Sequence, residues 1–195
     1  MVWKWGIVLS EPVSDLGRSG SGCVITFLSR ILHPHKIECL ATDVNPAANK
    51  ATVCTANRNL ASVDALLTFL TNGIHSRPGL FDVILFNPPY VPTETVCPLA
   101  LNPNRESIRT CPPRDLLEAA WAGGPDGRYW IDLLLPRIDA LLSQRGVFYM
   151  IALEANKPAD LMRWAQEEWK FNSTIIAKRR AGIEALSVIK FWRCS

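Results

Sequence analysis

Short apolar runs alternate along this chain with longer stretches in which apolar residues recur every three or four positions, a rhythm that predicts strands and helices in turn. Behind a Gly/Ser-rich turn over Gly17–Gly22, Cys23–Leu32 has helical spacing and stops at His33-Pro34. Lys36–Thr42 reads as a strand. Pro46–Asn59 reads as a helix whose proline sits in the first turn, where its missing N–H is not needed. A weaker strand is expected over Asp64–Leu67. A buried one is expected over Phe81–Phe86, whose apolar run suits a parallel sheet covered on both faces. Arg128–Ser143 is an amphipathic helix, Gly146–Ala152 a strand and Lys157–Glu168 a helix. Two β-rich runs, Asn172–Lys178 and Leu186–Trp192, are joined through Arg179–Ile183 and predict a terminal hairpin. The fold class is therefore α/β: a mostly parallel sheet with a C-terminal antiparallel hairpin and helices on both faces. Met1–Leu9 is assigned no element by this pattern, and Pro88–Pro113 is a long, proline-rich irregular stretch. Loops of that length in compact domains are more often functional than idle.

Composition narrows the class of protein. With 195 residues, 48% of them hydrophobic and 20% charged, the chain suits a single domain with a full core and excludes disorder. No apolar run approaches the roughly 18–20 residues that a spanning helix needs, so no membrane partner is expected. A net charge of +3 permits a nucleic-acid partner but argues only weakly for one. The six cysteines, Cys23, Cys39, Cys54, Cys97, Cys111 and Cys194, are scattered, with no CxxC pair and no histidine cluster. That spacing predicts neither a metal site nor a disulfide framework, and it points to a reduced, intracellular compartment. The apolar part of Met1–Leu9 is too short for a signal peptide and is followed at once by Glu11.

Chemistry concentrates in three places. Asp15-Leu-Gly-Arg-Ser-Gly-Ser-Gly22 leads into a helix, so its glycines allow a ligand to approach backbone N–H groups at the helix start. Asp43 ends the next strand, 21 residues beyond Gly22. That is where Rossmann-like sheets hold a ribose, which indicates an adenosine-bearing cofactor without choosing between NAD and S-adenosylmethionine. Asn87-Pro-Pro-Tyr90 closes the buried strand at the end where open α/β sheets bind ligands. Chemically it is a device for holding a planar nitrogen. The Asn87 carboxamide oxygen accepts one N–H, a backbone carbonyl stiffened by Pro88 and Pro89 accepts another, and Tyr90 stacks on the planar group. With both N–H groups engaged, the nitrogen lone pair turns towards an electrophilic methyl.

These segments make the chain resemble a HemK-type class I S-adenosylmethionine-dependent methyltransferase. Within that family it resembles the eukaryotic and archaeal enzymes that methylate a glutamine of the class I translation termination factor. The likeness runs from Gly20 to Phe191 and includes Ser19-Gly-Ser-Gly22, Thr42-Asp43, Asn45-Pro46 and Phe86-Asn-Pro-Pro-Tyr-Val91. It continues through Glu118-Ala-Ala-Trp-Ala-Gly-Gly124, Gly127-Arg128 and Ala181-Gly-Ile-Glu-Ala-Leu-Ser-Val188. The resemblance implies a Rossmann-like class I methyltransferase fold, S-adenosyl-L-methionine as cofactor, and the GGQ glutamine of the termination factor as methyl acceptor. It implies that Asn87, Pro88, Pro89 and Tyr90 form the catalytic tetrapeptide. Asp15, Gly17, Ser19, Gly20, Gly22, Asp43, Val44, Phe69 and Asn87 would contact the cofactor. It further implies a heterodimer with a small zinc-ribbon activator, which holds the zinc, and a cytoplasmic location extending to the nucleus.

The chain departs from the family pattern in three places. Arg18 interrupts the glycine loop. Thr68-Phe69-Leu70 stands where the family has Thr-Asp-Leu, so Phe69 packs on the adenine rather than accepting from it. Met1–Ser14 is divergent or truncated, with Glu11-Pro12 a faint echo of the family's cofactor-covering motif. Three readings follow: a glutamine methyltransferase, a methyltransferase for adenine N6 or a histone lysine, or a weakened paralogue that keeps partner binding. No basic stripe suits a nucleic-acid groove, so nucleic acid is not expected as the direct substrate.

Overall fold

The short apolar runs bury themselves by pairing into one sheet of seven strands, in the order β3-β2-β1-β4-β5-β7-β6. The computed structural model describes residues 21–32, 37–43, 45–67, 79, 81–96, 118, 120–182 and 184–193, together with the backbone of 6–9; for 66, 67 and 181 only the backbone is described. In chain order the elements are β1 (Gly6–Leu9), α1 (Cys23–Ile31), β2 (Cys39–Asp43), α2 (Pro46–Arg58), β3 (Asp64–Leu67) and β4 (Phe81–Phe86). They continue with α3 (Tyr129–Leu141), β5 (Leu142–Leu153), α4 (Pro158–Trp169), β6 (Phe171–Ala181) and β7 (Glu184–Arg193). β1 to β5 run parallel, and β7 is antiparallel to both β5 and β6.

The chain winds outward from β1 through β2 to β3, then returns to lay β4 against the other side of β1. Right-handed crossovers on either side of that reversal send the helices to opposite faces. Burial shows the same division. Ile84 and Phe86 of β4 and Phe148 and Met150 of β5 pack with Ile131, Leu134, Leu135 and Ile138 of α3 in one core. Cys39 and Ala41 of β2 join Ile25 of α1 and Leu85 of β4 in a second. Successive side chains of a strand point to opposite faces, so Leu85 and its neighbours Ile84 and Phe86 serve different cores.

Element ends shift by up to a few residues from the sequence pattern, and three of the differences are decided by strand pairing. Gly6–Leu9 is a strand at the centre of the sheet although it spans four residues. That length is too short to show a period, and its ladder partners on both sides, Thr42 and Phe86 opposite Leu9, define it. β5 begins at Leu142, directly after α3, because Leu142 pairs with Phe81. The register then shifts, so Ser143–Gly146 bulge out before Val147 meets Val83, and Ser143 Oγ donates to Asp82 Oδ1 at 2.6 Å. β6 and β7 stay paired up to Ala181 and Glu184, which leaves two residues for the turn and places Arg179 and Arg180 in the ladder. Their charges lie exposed on an edge strand, where they discourage pairing with another chain.

α3 contains Pro136, which costs a helix interior about 3 kcal/mol. Six buried side chains, Trp130, Ile131, Leu134, Leu135, Ile138 and Leu141, each contribute roughly 1.5–3 kcal/mol and carry the helix through it. Phe148 lies fully buried between the rings of Phe86 and Phe191, at centroid distances of 6.5 and 5.5 Å. Phe148→Ala should lower stability by about 3–5 kcal/mol in urea unfolding; a loss below 1 kcal/mol would contradict this packing. Burial pushes the Cys39 thiol above its ordinary pKa, against a smaller lowering from the Ser29 hydrogen bond, whereas Cys23 and Cys54 are exposed. Cys39 should therefore alkylate far more slowly than Cys23 or Cys54 at pH 8, read by mass spectrometry of the native protein.

Candidate active site

Where the strand order reverses, the carboxyl ends of β1 and β4 lie side by side, and such switch points are where open sheets bind ligands. Asn87 follows Phe86, the last residue of β4, which is paired with Leu9 of β1 and Met150 of β5. Asp43 ends β2 on the same edge, one residue past Thr42, which also faces Leu9. With β1 between them, Asp43 and Asn87 stand about 10 Å apart, two strand spacings.

Asp43 is 4% exposed. Its Oδ1 accepts from the Asn45 N–H at 2.7 Å, and the Asn49 amide donates to its carbonyl at 3.0 Å. Asn45 in turn caps α2 by accepting from the Ala47 N–H at 2.9 Å, so the carboxylate is fixed to the start of a helix. Gly22 precedes α1 with φ +73, a left-handed conformation open to glycine at no steric cost. A Cβ there would lie 2.6 Å from Thr52 Cα of α2, so Gly22 also permits the two helices to meet. Asp15, Gly17, Ser19, Gly20, Val44 and Phe69, the other expected cofactor residues, lie outside the described residues, as does Arg18.

Pro88 and Pro89 are buried and Tyr90 is half-buried. The Asn87 side-chain oxygen is sequestered from solvent and accepts no hydrogen bond among the described residues. An acceptor left in that state costs about 1–3 kcal/mol unless a ligand supplies the donor. The turn is held from behind by the Trp121–Gly127 segment. Val91 N–H donates to Trp121 O at 3.0 Å and Gly123 N–H to Val91 O at 2.8 Å, forming a parallel bridge between Val91 and Ala122. Thr93 and Gly124 exchange a further pair, N–H to carbonyl at 2.9 Å and N–H to hydroxyl at 2.9 Å. A Cβ on Gly123 would stand 2.5 Å from Pro89 O and one on Gly127 only 1.9 Å from Tyr90 O. The glycines quoted for the resemblance thus press against the tetrapeptide's own backbone.

Asn156 completes the arrangement and escaped the sequence reading. It is fully buried at the end of β5, where its Oδ1 accepts from Leu153 N–H at 2.6 Å. Its Nδ2 donates to Tyr90 O at 2.9 Å, Asp126 O at 2.8 Å and Gly127 O at 3.3 Å. The available signal was a polar residue just past the carboxyl end of a buried strand, two positions before a helix-starting proline.

Curated relatives resemble the chain in sequence. The chain is 35% identical over 178 residues to Methyltransferase HEMK2 of Mus musculus, covering 89% of this chain and 74% of that one. It is 36% identical over 183 residues to the eRF1 methyltransferase catalytic subunit mtq2 of Schizosaccharomyces pombe, covering 89% and 73%. The chain belongs to the HEMK2/Mtq2 family of class I methyltransferases. No protein-family model matches it. Among solved structures, the E. cuniculi Mtq2–Trm112 complex, described as methylating the eRF1 translation termination factor, shares the fold with a TM-score of 0.60 and 24% identity. The match covers all of this chain and 87% of that one. A ribosomal protein L11 methylase from Lactobacillus delbrueckii matches the fold at 0.53 and 15% identity, over 96% and 69% of the two chains. The expected α/β class, the terminal hairpin and the methyltransferase assignment are therefore established for this HEMK2/Mtq2 relative.

Gly22→Ala should destabilise the protein by about 2–4 kcal/mol, combining left-handed strain with overpacking against Thr52. Urea unfolding checks this, and a change within 0.5 kcal/mol would show that α1 and α2 do not meet there.

Proposed function

We propose that this chain transfers the methyl group of S-adenosylmethionine to the side-chain amide nitrogen of a glutamine in a class I translation termination factor. The observation that carries the reading is the buried Asn87 oxygen, unpartnered among the described residues, at the switch point of a sheet from this family. The relatives' names, one an eRF1 methyltransferase subunit, supply the substrate class. The same side chain could take an N–H of an adenine amino group, but the curated relative whose name states a substrate acts on eRF1.

The residues fit an adenosine-bearing sulfonium. Asp43 offers a buried carboxylate for ribose hydroxyls, and Gly22 brings the first turn of α1 close without a side chain in the way. Asp15, Gly17, Ser19 and Gly20 are assigned to the methionine end, and Val44 and Phe69 to the adenine. When bound, S-adenosylmethionine supplies a methyl on a positively charged sulfur, open to in-line attack. Asn87 Oδ1 accepts one amide N–H of the glutamine, the Pro88 carbonyl accepts the other, and Tyr90 packs on the amide plane. Engaging both N–H groups concentrates the lone pair on nitrogen, and the two prolines hold the acceptors still, so positioning supplies most of the rate. The proton released after transfer passes to solvent, and no side-chain base is assigned.

Among the described residues, no helix is long and apolar enough to cross a membrane. The reading places the chain in the cytoplasm, extending to the nucleus, paired with a small zinc-ribbon activator, as the E. cuniculi relative is paired with Trm112. The test is methylation of the termination factor by the co-expressed pair. Asn87→Ala should lower kcat about 10²–10³-fold, a far larger loss than any change in calorimetric cofactor affinity. Full turnover by Asn87→Ala, or methylation of a factor whose glutamine is replaced, would overturn the reading. A mean hydropathy of +0.09 suggests that the chain expressed alone is poorly soluble and recovers with the activator; equal soluble yields would count against that pairing.

A further inference from the structure

We infer that Asn156 is a positioning residue for methyl transfer, acting through the backbone of the Asn87–Tyr90 turn; the inference rests on the proposed reaction for its activity readout alone. A fully buried asparagine carries four protein contacts here: its oxygen accepts one backbone N–H, and the two N–H bonds of its amide are shared among three carbonyls of two separate chain segments. One segment is the tetrapeptide, through Tyr90 O. The other is the 3-10 turn Pro125–Gly127, through Asp126 O and Gly127 O. Asn156 is thus the point where the end of β5, the tetrapeptide and the Gly-rich segment behind it are joined by one amide group.

Backbone strain gathers around the same point. Gly124, Asp126, Gly127 and Lys157 all have positive φ, between +56° and +71°. Two of these are not glycine, and the side chains of that pair, Asp126 and Lys157, are ion-paired at 2.6 Å directly over the junction. Left-handed conformations at ordinary residues persist only where the surroundings over-determine them, and they gather at sites that must be held in one geometry. Gly127 cannot carry a Cβ because Tyr90 O occupies the place and Asn156 Nδ2 would lie 2.5 Å away, so Gly127, Tyr90 O and the Asn156 amide meet at one point. Sub-ångström placement matters for Asn87 and Tyr90 because an error of about 1 Å in a reacting geometry costs of order 10²-fold in rate. Ordinary packing of apolar surface would not require a donor with this number of acceptors at a strand end. Asn156 touches neither acceptor nor cofactor in this scheme; it sets where the groups that do so stand.

The decisive variant is Asn156→Asp in the chain co-expressed with its activator. It keeps the size and the acceptor for Leu153 N–H but turns a carboxylate oxygen towards the carbonyls of Tyr90, Asp126 and Gly127. Hydrogen–deuterium exchange at Val91, Thr93 and Gly123 should quicken at least tenfold while the β6–β7 hairpin stays unchanged. kcat on the termination factor should fall about 30- to 100-fold, with calorimetric affinity for S-adenosylmethionine within threefold of the parent. Unchanged exchange at those three amides overturns the inference whether or not the parent turns over, so its failure is separable from failure of the proposed reaction. Equal losses of cofactor affinity, melting temperature and turnover also overturn it, since they mark a general structural role. Should Asn156→Asp not fold, Asn156→Ser, which removes the amide donor without adding a charge, is scored by the same readouts. If neither variant folds, the junction is a folding requirement and the positioning role is wrong.

Discussion

A sheet buried on both faces must send its crossovers to alternate sides, and the reversal of winding between β1 and β4 is how this chain does so. The active site follows from that reversal. At any other pair of neighbouring parallel strands a helix covers the gap above the strand ends; at the reversal the connections depart in opposite directions and leave it open. Asp43 and Asn87 line that opening because each is the residue at or just past the end of its strand. Neither position is adjustable, since shifting a strand by one residue would move its core side chains to the wrong face. The two cores thus set the separation of a buried carboxylate and a buried amide oxygen, the groups proposed for ribose and for the glutamine amide.

Behind the opening, the tetrapeptide is shaped by backbone meeting backbone. Gly123 and Gly127 let the chain approach Pro89 O and Tyr90 O more closely than any side chain would permit. Asn156 then satisfies a carbonyl that this approach has buried. Such a site has few degrees of freedom, because a carbonyl that is both hydrogen-bonded and in van der Waals contact cannot swing. The exposed ion pair of Asp126 and Lys157 contributes at most about 1 kcal/mol and is secondary to the buried amide.

The legible parts of the chain were those whose chemistry is local. Asp64–Leu67 and Phe81–Phe86 match their strands at both ends because β-rich runs bounded by polar or turn residues leave little choice of register. Pro46 marks a helix start wherever it stands, and Asn45 caps it as its type predicts. Asn87-Pro-Pro-Tyr90 stands where its pattern placed it, directly past the end of a buried strand, because two prolines cannot continue the ladder. Gly6–Leu9 was illegible for the opposite reason. Four residues show no period, and what makes them a strand is the hydrogen-bonding edge offered by β2 and β4, which are distant in sequence. The bulge at Ser143–Gly146 and the charged ladder at Arg179–Arg180 were hidden in the same way, since pairing partners decided them.

By itself, then, the sequence determined the class of fold, the order of the elements from α1 onward and the family resemblance of its motifs, because each is written in short-range pattern and residue type. Tertiary structure alone decided which of those motifs share an edge, and that the Asn87 oxygen is sequestered and unmet among the described residues. It alone decided that Asn156, 66 positions from Tyr90, holds that residue's carbonyl. An asparagine's local surroundings carry no trace of the carbonyls that will converge on it; only the folded sheet brings them within hydrogen-bonding distance.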